Sequence, residues 1–115
     1  MIKTGETSIE MGGQVRPLKF GTNATAIFCE LHDLALADVG EAFKKLTMTQ
    51  LRDLIYGCAA SGHRLRIKTE PDFTPFDVGD WLDEEGVFEQ CVEFINRTNQ
   101  QKVTEKPTGK AKPKR

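Results

Sequence analysis

The sequence predicts an α+β fold that is mainly α: an N-terminal β-hairpin, about five short helices and a disordered basic C-terminal tail. Three observations carry this. Two alternating runs meet at Gly12-Gly13, which is the signature of a tight hairpin. Helical apolar spacing then recurs from Ala24 to Ile95, punctuated by two cap signatures at Thr47 and Thr74. From Thr98 onward apolar residues nearly vanish while lysines accumulate around Pro107, Gly109 and Pro113.

The hairpin covers 7–20. Ile9 and Met11 share one face, and Leu18 and Phe20 are in phase on the return run. Pro17 cannot donate to a ladder, so the second strand is expected at an edge or with a bulge there. Val15 and Leu18 fall on opposite faces, which also favours an irregularity.

Helical sequence covers 22–99. Thr22 and Asn23 offer N-caps for a helix marked by Ala24, Ile27, Phe28 and Leu31 and ending near His32. Asp38, with Glu41 three residues on, should cap a short helix burying Val39, Ala42, Phe43 and Leu46. Thr47 with Gln50 is a capping box, and the helix after it should bury Leu51, Leu54, Ile55 and Cys58 and stop at Gly62. His63 to Asp72 reads as a loop or short strand. Thr74, Pro75 and Asp77 form the strongest helix start in the chain, with Phe73 and Val78 spaced as a hydrophobic staple. Val78, the lone Trp81 and Leu82 make its apolar stripe. A last helix from Val87 to about Asn99 has Phe88, Cys91, Val92 and Ile95 on its main face. Val87 and Phe94 widen that face beyond a single packing contact.

One folded domain over 1–99 and a tail over 100–115 follow from this pattern. The chain's net charge of −1 hides an asymmetry, since residues 1–99 hold ten basic and sixteen acidic side chains. An acidic body makes a poor nucleic-acid platform. Nor does the helix from Leu51 offer more than Arg52 for reading bases, so no specific nucleic-acid binding is expected. No apolar run is long enough to span a membrane, and no secretory leader is visible, so a soluble intracellular protein is expected. Three widely spaced cysteines argue against a disulfide framework.

Chemistry-bearing clusters are few. Cys29 with His32, and Cys58 with His63, could in principle supply four zinc ligands. Both cysteines fall on or beside apolar stripes, so buried thiols are expected rather than a metal site. Neither histidine has a nearby acid or serine at relay spacing. The acids from Asp77 to Glu93 do not follow the order of a calcium loop; they read as a solvated face or as an acidic docking surface. No catalytic residue, cofactor or metal is assigned. Partner-binding candidates are Phe76, Trp81, Phe88 and Phe94 on the apolar side, and Asp80 and Glu84 on the acidic side. Phe76 either packs under the 63–72 loop or, with Trp81 or Phe94, forms an exposed apolar patch.

A series of segments in order carries a resemblance. Arg16-Pro17-Leu18-Lys19-Phe20-Gly21-Thr22-Asn23-Ala24 is followed by Phe28-Cys29-Glu30-Leu31 and a Leu34-Ala35-Leu36-Ala37-Asp38-Val39-Gly40 corner. Then come Leu51-Arg52-Asp53-Leu54-Ile55-Tyr56-Gly57 and Asp77-Val78-Gly79-Asp80-Trp81-Leu82 within 73–86. Over residues 7–95 the chain resembles the tail assembly chaperones of long-tailed bacteriophages. Ala37 departs from the pattern, where a capping serine is expected. The resemblance implies a non-enzymatic protein that binds the tape measure protein in the host cell cytoplasm and is absent from the mature virion. It also implies a longer frameshifted form that engages the tail tube protein. Self-association remains open, and a small structural or head–tail connector protein retained in the virion is the alternative.

Overall fold

A computed structural model describes residues 5–105, with side chains over 5–98. The elements are β1 (Glu6–Met11), β2 (Gln14–Lys19), α1 (Thr22–His32), α2 (Val39–Lys44), α3 (Met48–Arg66), α4 (Pro75–Leu82) and α5 (Val87–Glu105). A single 3₁₀ turn, Leu36–Asp38, leads into α2. The fold is α+β and mainly α, a two-stranded antiparallel hairpin followed by five helices.

Gly12 and Gly13 both have positive φ, 64° and 80°, as a two-residue primed turn requires. The register is continuous, with Met11 opposite Gln14, Ile9 opposite Arg16 and Ser8 opposite Pro17. Of the two expectations for Pro17 the edge strand holds, since the sheet has two strands, and no bulge forms. Met11 and Gln14 flank the turn, so hydrogen-bonded pairs alternate from them and Pro17 falls at a non-bonded position. Its missing N–H costs the ladder nothing. Val15 is simply exposed.

Helix α3 is the axis of the molecule, packing against α1, β2 and α4. Its start follows the sequence closely. Thr47 Oγ1 accepts from Gln50 N at 3.1 Å, and Gln50 Oε1 accepts from Thr47 N at 2.9 Å. Its end does not. The helix passes through Gly62 and stops at Arg66, so the first residues of the expected 63–72 loop are helical. Gly62 is a packing residue rather than a cap, because a Cβ there would overlap the Pro17 carbonyl oxygen and crowd Leu18 Cα. Gly57 does the same for α1, where a Cβ would lie 2.8 Å from the Ala24 carbonyl oxygen. Two glycines thus let β2 and α1 lie directly against the α3 backbone.

The short elements deviate locally. Gly21, not Thr22 or Asn23, caps α1 without a side-chain bond, and Leu31 is largely exposed. Asp38 makes no capping bond to α2, since the 3₁₀ turn already carries the chain into the helix. α5 runs to Glu105, so 100–105, expected within the tail, continue the helix. The remainder of the expected tail, 106–115, lies outside the described residues. Among those described, no helix is long and apolar enough to cross a membrane.

Candidate interaction surface

Helix α4 forms where its cap signals place it. Thr74 Oγ1 accepts from Asp77 N at 3.2 Å, and Asp77 Oδ2 accepts from Thr74 N at 2.9 Å. Val78 and Leu82 are buried, and Phe73 ahead of the cap joins them in the core. Trp81 lies half-buried at the edge of this core, 5.2 Å from the Phe73 ring centre.

Trp81 is held by the hairpin. The Arg16 guanidinium carbon sits 3.8 Å from the Trp81 ring centre, and Arg16 donates through Nε to Met11 O at 2.8 Å. Gly12 N donates to both carboxylate oxygens of Glu84, each at 3.1 Å. Gly12 can have no side chain here, because a Cβ would run into the Trp81 indole. Two of the sequence-derived partner candidates, Trp81 and Glu84, thus fasten α4 to the hairpin turn. Asp80 is exposed on the outer side of α4.

The remaining aromatics separate sharply. Phe76 is 77% exposed and does not pack under the 63–72 segment. Phe94 is 2% exposed and belongs to the core, so its expected place in a surface patch is overturned. The reason is the rotation of α5. Val87, Cys91, Phe94, Ile95 and Thr98 are its buried residues, while Phe88 and Val92 are half-buried. The inward face is thus centred near Thr98, with Phe94 towards one edge and Phe88 and Val92 roughly 80–120° round the helix from its centre. Contact with β1 and α4 sets that rotation.

Phe88 and Val92 consequently open onto a groove. Leu46, Met48 and Leu51 form one wall, and Phe88, Val92 and Ile95 form the other. Met48 is 67% exposed at its rim. The volume is about 230 Å³, smaller than the roughly 300–1,000 Å³ of pockets that enclose small ligands. A shallower depression continues across the Phe88–Val92 ridge to Glu89, Glu93 and Arg97. A wider one of about 620 Å³ lies against Phe20, Cys29 and Leu36 and borders Thr98, next to the part of α5 whose side chains are not described.

Reactive groups are arranged structurally. The His32 ring nitrogen lies 2.8 Å from Asp53 Oδ2, and Arg52 Nε donates to Asp53 Oδ1 at 2.9 Å. Sequence reasoning missed this acid because it stands twenty-one residues away on another helix. The buried Asp53 carboxylate thereby joins α1 to α3. Among the described residues the Cys29 thiol makes no hydrogen bond to His32. Burial pushes the Cys58 thiol far above the usual thiol range, with Cys91 adding to it, and pushes Cys91 up to about 12. Among the described residues no group of three or more His, Cys, Asp or Glu side chains is placed to hold a metal ion.

No family model matches the chain, and neither a curated protein nor a solved structure is significantly similar to it.

Proposed function

We propose that the chain is a tail assembly chaperone that binds the tape measure protein of a long-tailed bacteriophage and keeps it soluble before the tube forms around it. The observation that carries the reading is the open apolar groove between the Leu46–Leu51 segment and the Phe88–Val92 ridge. A groove of this kind suits the side chains of a partner helix better than an enclosed small molecule. One wall includes the start of α3, which the Thr47–Gln50 capping box holds in place. The ordered segments that resemble the family, from Arg16-Pro17-Leu18-Lys19-Phe20 to Asp80-Trp81-Leu82, supply the kind of partner.

In this role the protein performs no chemistry. Groove and exposed Phe76 cover amphipathic stretches of the client, and the acidic surface keeps the complex in solution. Each contact is small, so several copies coat one long client and polymerising tube displaces them. The protein acts in the host cytoplasm and leaves before the virion is complete. A longer frameshifted form would add contact with the tail tube protein.

Affinity purification of the tagged chain from phage-infected cells tests this. The tape measure protein should co-purify before assembly, and the chain should be missing from purified virions by mass spectrometry. Presence in the particle at fixed copy number would instead favour a connector.

A further inference from the structure

Acidic side chains are concentrated on the stretch that holds α4 and the first turns of α5, and two of them border the groove. Residues 5–98 contain nine basic and sixteen acidic side chains, a net of −7. Seven of those acids, but only one base, Arg97, lie between 74 and 97. Two of them, Glu89 and Glu93, flank Phe88 and Val92 in the depression that continues the groove. Both are exposed and neither has an ion-pair partner among the described residues.

The spacing of these groups is specific. Phe88 to Asn96, the length of α5 that lines the groove, spans about 12 Å or two helical turns. Glu89 and Glu93 stand four apart and so lie one above the other along that length. A helix laid in the groove presents apolar side chains at i, i+3 or i+4, and i+7 to Leu46, Met48 and Val92. Its flank nearest α5 meets two exposed carboxylates one turn apart, with Arg97 a further turn along.

We propose that the groove binds two turns of a client amphipathic helix whose apolar stripe is edged by Lys or Arg at i, i+4, paired with Glu89 and Glu93. The identity of the client rests on the chaperone reading; the chemistry of the groove does not. A second copy docked through the same face is the poorer occupant, because it would set its own Glu89 and Glu93 against those of the first.

The test uses the full chain and two synthetic helical peptides with the same leucine stripe, one edged by Lys and one by Glu. The Lys-edged peptide should bind about tenfold tighter, as two exposed ion pairs of under about 1 kcal/mol each allow. Its NMR shift changes should centre on the Met48 methyl and the amides of 88–96. Exchanging Glu89 and Glu93 for Lys should reverse the preference, and Met48→Glu should weaken both peptides. All three positions are exposed, so these variants keep the fold. Equal binding of the two peptides, shift changes elsewhere, or a dimer closing through the groove would overturn the proposal. Two further outcomes separate it from the chaperone reading. If Met48→Glu solubilises the tape measure protein as well as the parent chain does, the groove assignment fails while the chaperone role stands. If the Lys-edged peptide fills the groove but the tape measure protein stays insoluble, the chaperone role fails and the groove stands.

Discussion

The guanidinium of Arg16 stacks on Trp81, 3.8 Å from its ring centre, and so ties a residue of the hairpin's inner face to one on α4. Arg16 stands opposite Ile9, a core residue, and its donors end on the Met11 and Gly12 carbonyl oxygens. The cation is partly withdrawn from water and its hydrogen bonds fix its plane over the indole, which strengthens the contact.

Arg16→Ala should therefore cost about 1–3 kcal/mol, from the lost cation–π contact and hydrogen bonds. Denaturant unfolding, followed by Trp81 fluorescence and by circular dichroism, measures it. Arg16→Lys should recover little, because an ammonium cannot both stack and reach the two carbonyls.

Two helical glycines give a contrast of sign. Helix propensity alone says that Gly→Ala inside a helix stabilises by about 1 kcal/mol. Gly40 in α2 has open space around a built Cβ, so Gly40→Ala should raise stability by about 0.5–1 kcal/mol. Gly62→Ala should lower it by about 2 kcal/mol or more, since the methyl meets backbone that cannot move aside alone. Thermal melts of the two variants decide the matter.

Thiol reactivity should divide two to one. Cys58 and Cys91 are fully buried and held protonated, whereas Cys29 is half-buried. In the native state a thiol reagent should titrate Cys29 alone, and all three cysteines in denaturant. The same shifts predict alkaline weakening. Above the ordinary thiol value of 9.0 the unfolded chain loses protons that Cys58 and Cys91 retain in the fold. Stability is thus full below pH 9 and falls as the pH rises towards about 12, by up to about 1.4 kcal/mol per thiol and pH unit. Replacing both residues with Ala should flatten that slope.

Much of the architecture was legible because it is written locally. The Gly12-Gly13 turn and the boxes at Thr47 and Thr74 are decided by residues within a few positions, and each forms as read. What escaped is set by partners distant in the chain. Gly62 carries a stop signal, but the approach of Pro17 and Leu18 makes it a contact point and α3 continues. The His32–Asp53 pair and the Arg16–Trp81 stack each join residues far apart in sequence. Apolar spacing on α5 could not fix its rotation, because its apolar residues spread over nearly half its circumference. Packing on β1 turned Phe94 inward and Phe88 outward.

Phe94 and Phe76 therefore separate folding from binding. Phe94→Asp buries an unpaired carboxylate in the core and should abolish the cooperative unfolding transition, at a cost above about 4 kcal/mol. Phe76→Ser should change stability by no more than about 0.5 kcal/mol, since the ring is exposed. A loss of client binding in Phe76→Ser with an unchanged melt would place that ring in the contact.

The most direct measurement is the soluble fraction of the tape measure protein expressed with and without this chain. Co-expression should move it from the pellet to the supernatant in a complex with several copies of the chain. A tape measure protein equally soluble in the chain's absence, or insoluble in its presence, would contradict the chaperone reading.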